Sequence, residues 1–76
     1  MNIVFTIHVK ENILERRIPF HIIQETLLNP DNLFDSKKGR KIAQKNYGNR
    51  DLRIVFKKTE KAYIVVTVYY TRAGRY

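Results

Sequence analysis

The segment that most restricts the fold is LRIVFK-KTEK-AYIVVTVYY, Leu52 to Tyr70. Two runs rich in β-branched and aromatic residues flank a polar tetrapeptide, the pattern of an antiparallel pair of strands joined by a turn. Side chains alternate across a strand, so Leu52, Ile54 and Phe56 are expected on one side of the sheet and Arg53, Val55 and Lys57 on the other. In the second strand, Ile64, Val66, Val68 and Tyr70 form one expected row, and Tyr63, Val65, Thr67 and Tyr69 the opposite one. The apolar rows need a cover. A chain of 76 residues closes only one modest core, so that cover has to come from the residues upstream.

The upstream sequence has helical spacing. Thr6 stands at an N-cap position, followed by Ile7, Lys10, Ile13, Leu14 and Arg17, which predicts a helix over about 7–17. Pro19 suits a first helical position, Phe20, Ile23 and Leu27 share one stripe, and Pro30 stops the run, which predicts a second helix over about 19–28. The single residue between them, Ile18, implies a helical hairpin. Beyond Pro30 come a short apolar pair, Leu33-Phe34, a loosely alternating stretch from Lys41 to Tyr47, and the turn GNRD, Gly48 to Asp51. A helix from Ser36 to Gly48 competes for the basic part of this region. It would put Gly39 in its first turn and four basic residues against the positive end of its dipole, so a strand is preferred. The expected fold is α+β: one domain over 1–76, an N-terminal helical hairpin at about 7–28 packed on a three- to four-stranded antiparallel sheet at about 33–70.

Charge is divided unevenly. Three basic residues face five acidic ones up to Asp35, a net of −2, whereas twelve basic residues face only Asp51 and Glu60 from Ser36 onward, a net of +10, together giving the +8 of the chain. Such an excess exceeds what solubility requires and points to an anionic partner. The chain has no cysteine, which excludes disulfides, thiolate metal sites and cysteine nucleophiles and fits a reducing cytoplasm. Its longest apolar-rich run, Tyr63 to Tyr70, is far shorter than the roughly 20 residues of a membrane helix, so a soluble protein without a membrane partner is expected.

The face opposite the apolar rows is expected to carry Arg53, Lys57, Tyr63, Thr67 and Tyr69, and the preceding strand to add Lys41, Ala43, Lys45 and Tyr47. Cations mixed with flat phenols suit single-stranded RNA: the cations neutralise phosphates and the rings stack on unpaired bases. Catalytic groups are few. Two histidines, His8 and His21, a single serine and no paired carboxylates give little support to a metal centre, a serine triad or a two-carboxylate glycosidase, and no glycine-rich phosphate loop is present. Cofactor-free RNA cleavage needs only a base for the 2′-hydroxyl, a clamp for the phosphate charge and an acid for the leaving oxygen. His8, at the start of the first helix, is the candidate base, because the positive end of the dipole favours the neutral imidazole.

The order TIHVKENILERRIPFHIIQETLLNP (Thr6 to Pro30), a basic strand, LRIVF and VVTVYYT (Val65 to Thr71) resembles a family of small prokaryotic domains of unknown function that is grouped with the RelE/ParE toxin superfamily. The resemblance covers nearly the whole chain. It implies helices on an antiparallel sheet and a toxin-like, metal-independent endoribonuclease, acting on free or ribosome-bound RNA and restrained by an acidic antitoxin protein. The matching positions are His8, Arg17, Arg53, Thr67 and Tyr69. They imply His8 as base or acid, Arg53 as phosphate clamp, and Tyr69 or the terminal Arg75-Tyr76 pair as substrate contacts.

Overall fold

Strand β1 (Asn2–Phe5) stops at Thr6, whose extended backbone turns the chain and whose Oγ1 accepts a hydrogen bond from the Val9 N–H at 3.2 Å, capping helix α1 (Ile7–Arg16). In the computed structural model, which describes residues 2–73, α1 ends where Arg17 takes the left-handed conformation at φ 52°. Ile18 N–H then returns to the Ile13 carbonyl at 3.1 Å, and Ile18 itself is buried, the usual apolar partner of such a terminus. Pro19 is the N-cap of α2 (Phe20–Leu28), one residue earlier than the first-turn position expected of it. A second run then follows: β2 (Asn32–Asp35), a 3-10 turn at Lys37–Gly39, β3 (Lys41–Asn46), β4 (Arg50–Lys58) and β5 (Ala62–Arg72).

The strands form one five-stranded sheet in the order β1-β5-β4-β3-β2, with β1 parallel to β5 and the other pairs antiparallel. This corrects the expected three- to four-stranded antiparallel sheet. The apolar start Ile3 to Phe5 is too short to show a strand period, yet it pairs with Tyr63 to Val65, and the Leu33-Phe34 pair lies within an edge strand. The helices therefore connect opposite edges of the sheet across one of its faces, α1 against β5 and α2 against β3 and β4. The stretch Lys41–Asn46 is a strand, with Lys45 inside it, because its backbone pairs with β2 on one side and β4 on the other.

The core lies between the helices and that face. Val9, Ile18, Ile23 and Leu27 pack against Ala43, Leu52, Ile54, Phe56, Val65 and Val68, with Ile3 and Phe5 closing one side. Each of the Val, Leu, Ile and Phe side chains fully removed from water contributes about 1.5–3 kcal/mol. Val65 and Val68 can both face the helices because β5 carries a bulge: Val55 pairs with Thr67 but Phe56 pairs with Val65, so Val66 is extra. Before the bulge the expected rows are exchanged. Val65 and Tyr63 belong to the helix side and Ile64 to the reverse, while Val68 and Tyr70 keep the side expected for them. Among the described residues, no helix is long and apolar enough to cross a membrane.

Candidate nucleic-acid interface

The register of the sheet sorts the basic and aromatic residues into two groups. Arg53 pairs directly with Tyr69, Val55 with Thr67 and Lys57 with Ile64, all on the face turned away from the helices. Arg53, Lys57, Thr67 and Tyr69 are thus brought together as expected. The other members of the expected face are not. Lys41, Ala43 and Lys45 pair with Phe56, Ile54 and Leu52, which places them with the core residues, and Ala43 is fully buried. Lys41 binds Asp35 at 2.7 Å and Lys45 reaches the Asn29 carbonyl at 2.9 Å and Asp31 at 3.6 Å. Their long stems follow the margin of the helix side and their ammonium groups are already engaged there.

Tyr47 belongs to the helix side as well. Its hydroxyl lies 3.0 Å from Thr26 Oγ1, 3.2 Å from the Ile22 carbonyl and 3.3 Å from Glu25 Oε2. Burial pushes its phenol above the ordinary value of 10.0, and the nearby carboxylates act in the same direction. Tyr63 is moved across by the bulge: its ring packs on Phe56 at 5.5 Å, and the Lys58 ammonium lies 5.1 Å from its centroid. Arg17 caps α1 on the helix side, and Arg75 and Tyr76 lie outside the described residues.

The residues that replace these on the open face are Phe34, Ile42, Gln44 and Asn46, whose partners in the register lead to Val55, Arg53 and Asp51. They include a polar cluster with Gln44 and Asp51 buried at its centre. Gln44 donates to Asp51 Oδ2 at 2.8 Å, Asn46 donates to Asp51 Oδ1 at 2.9 Å, and Arg53 Nε donates to Gln44 Oε1. Gln44 and Asp51 are 2% and 3% exposed. The Arg53 guanidinium is thereby fixed over Phe34, 5.9 Å from the ring centroid. Phe34 and Gln44 escaped the sequence reading because the conspicuous lysines on either side of Gln44 suggested the opposite parity for β3.

Topology also collects charge at one end of the sheet. The β2–β3 and β4–β5 connections lie at the same end, since Lys41 opens β3 opposite Phe56 near the end of β4. This brings Lys37, Lys38 and Arg40 of the first connection to the end that carries Lys57, Lys58 and Lys61 of the second. None of these six forms an ion pair among the described residues, and all but Arg40 are exposed. Lys57 joins this cationic end to the open face.

His8 is exposed on α1, on the helix side, whereas Arg53 and Tyr69 project from the reverse of the sheet. The structure does not bring the candidate base to the candidate clamp. No cluster of metal-binding side chains occurs among the described residues. Residues 5–70 match a family model described as a domain of unknown function, DUF4258. No curated protein and no solved structure matches the chain.

Proposed function

Taking as premise that this chain belongs to the DUF4258 family, we propose that it is an RNA-binding domain that takes a single strand across the open face of its sheet. The observation that supports this reading is the continuity between the six-cation end and the adjacent Arg53–Tyr69 pair. The backbone of a single strand would be held first by the exposed lysines of the two connections, and Lys57 would lead it onto the face. There Arg53 meets a phosphate, and Tyr69 and Phe34 offer rings to unpaired bases. Arg53 is the residue best prepared for the task, because its Nε donates to Gln44, which is itself held by Asp51.

A labelled single-stranded RNA titrated by fluorescence anisotropy at several salt concentrations tests the reading. Binding should weaken steeply with salt, and replacing Lys57 and Lys58 by glutamine should lower the slope by about one unit each. Tyr69→Ala should cost about 1–3 kcal/mol of affinity through lost stacking. Salt-independent binding, or affinity untouched by Arg53→Ala and Tyr69→Ala together, would reject it.

The second reading is the metal-independent endoribonuclease of toxin–antitoxin type that the RelE/ParE likeness suggests. One observation favours it: a guanidinium and a phenol stand side by side on paired positions, a clamp next to a proton donor. It assigns no part to His8, which lies across the sheet. Incubating the RNA with protein in EDTA separates the two: an intact RNA fits binding alone, and cleavage that disappears in both Arg53→Ala and Tyr69→Ala establishes the nuclease.

A further inference from the structure

The end of the sheet away from the lysine-rich connections, where β4 begins and β5 ends, carries a second kind of cation. Leu52 and Tyr70 are paired and turned to the helix side, and Arg50 and Arg72, two residues beyond them, are paired on that same side. The Arg50 guanidinium lies over the Tyr70 ring, 3.8 Å from its centroid. Arg16 reaches β5 from the last turn of α1, where its Nη1 donates to the Val68 carbonyl at 3.5 Å. Three exposed arginines thus border Tyr70 on one side of the sheet.

The fold itself gains nothing from the Arg50–Arg72 pair. Like charges directly opposite each other in an antiparallel pair are destabilising, and none of the three arginines forms an ion pair among the described residues. The helices above carry Glu11, Glu15 and Glu25, which leave these arginines unpaired, and Glu25 accepts from the Tyr47 hydroxyl instead. The negative end of the α1 dipole accounts for Arg16 but not for two arginines set against each other in the sheet. Residue type adds to the argument. The opposite end holds five lysines and one arginine, whereas this cluster is arginine alone. A guanidinium offers planar, paired N–H donors that match phosphate oxygens, where an ammonium is a point charge. Stacking restrains Arg50 through the face of its guanidinium, and its N–H groups donate to no group among the described residues.

We infer that Arg16, Arg50 and Arg72 bind a phosphomonoester. Such a group carries about −1.5 to −2 charges and three acceptor oxygens, so it converts the repulsion between the paired arginines into a shared attraction. It suits three guanidiniums better than a singly charged phosphodiester does. Two sources share this chemistry: free phosphate or a nucleotide, and the phosphorylated end of an RNA. The cluster lies across the sheet from Arg53 and Tyr69, so the inference does not rest on the RNA reading.

The test follows the arginine Nε–Hε resonances and the melting temperature of the whole chain as inorganic phosphate is added at constant ionic strength, with chloride as the reference anion. The signals of Arg16, Arg50 and Arg72 should move together and saturate, and phosphate should raise the melting temperature. Arg72→Lys keeps the charge but loses the paired donors, so phosphate affinity should fall about tenfold. Arg72→Thr removes the like-charge opposition, so it should melt above the parent without phosphate and gain little when phosphate is added. Adenosine monophosphate and one RNA bearing a 5′-phosphate or a 5′-hydroxyl then identify the source. Tighter binding of the nucleotide assigns the site to a free nucleotide, a preference for the phosphorylated RNA assigns it to an RNA end, and no gain from either assigns it to phosphate itself. The inference is overturned if the three arginine signals stay still, if chloride moves them equally, or if both Arg72 variants respond to phosphate as the parent does.

Discussion

Ile54 and Val55 are neighbours in the chain, both β-branched and apolar, with opposite surroundings. Ile54 is fully buried beneath the helices, where it meets Ala43 and Val68 across the strands. Val55 is half-buried on the reverse face, opposite Ile42 and Thr67. One side of the sheet is organised by the exclusion of water and the other by polar groups that fix each other, Gln44, Asp51, Asn46 and Arg53. The difference teaches that stability and ligand contact are assigned to separate faces, so each can be altered while the other is read.

The largest effect expected from breaking that separation is on the covered side. Ile54→Ala leaves a cavity among well-packed neighbours and should cost about 2–5 kcal/mol in urea unfolding. Val55→Ala, one residue on, should cost under about 1.5 kcal/mol, since its surroundings already include water. Equal losses at the two positions would show that the open face is covered in solution.

A smaller loss is expected on the open side, where polar rather than apolar groups are buried. Asp51→Ala leaves the buried Gln44 amide without its acceptor, and an unpaired buried polar group costs about 1–3 kcal/mol. The same substitution frees Gln44 and hence loosens Arg53, so RNA affinity should fall along with stability. Val55→Ala should leave that affinity nearly unchanged. Unfolding curves and anisotropy on the two variants check both statements.

Much of the covered side was legible in the sequence. Alternation places Leu52, Ile54 and Phe56 on the covered side because Arg53 and Lys57 fix the parity of the strand, and the stripe through Ile23 and Leu27 follows from helical spacing. In α1, by contrast, the spacing picks out Ile7 and Leu14, which are exposed, and passes over the buried Val9. The open side was legible only in part. Ile64, Val65 and Val66 are three β-branched apolar residues in succession, so no contrast in polarity marks the extra residue, and Tyr63 was assigned to the wrong face. In β3 the error has another source. Lys41 and Lys45 have the parity of core residues but sit at the sheet margin, where their stems let the charges reach Asp35 and Asp31. Tyr47 similarly combines an apolar body with a hydroxyl that finds Thr26 in α2. Pairing partners fix these placements, and the pairing of β3 with β4 is a property of the fold.

Tyr47 offers a milder probe of the covered side. Tyr47→Phe removes the hydroxyl bonded to Thr26 and the Ile22 carbonyl and should cost about 0.5–1.5 kcal/mol near neutral pH. The phenol titrates above its ordinary value because burial disfavours the phenolate. A group whose proton is held more tightly when folded contributes stability that is complete below the unfolded value, near 10, and lost as pH rises through the folded one. The gap between parent and Tyr47→Phe should therefore close on the alkaline side, and a gap that widens there would contradict the burial of the hydroxyl.

The smallest effect belongs to the sheet margin, where Lys41 holds Asp35. The hydrogen bond from the ammonium, reinforced by its charge, keeps the Asp35 carboxyl below its ordinary 3.8. The sign is the reverse of the Tyr47 case: a carboxylate favoured in the folded state contributes stability above its unfolded value and loses it as pH falls through the lower, folded one. Both side chains are well exposed, so water and salt screen the pair, and Lys41→Gln should weaken the fold only slightly. Urea unfolding of parent and Lys41→Gln should differ near pH 6 and converge below pH 3, and added salt should shrink the difference seen at pH 6. A difference that survives acid would mean that Lys41 supports β3 through its apolar stem against the helix side, rather than through its charge.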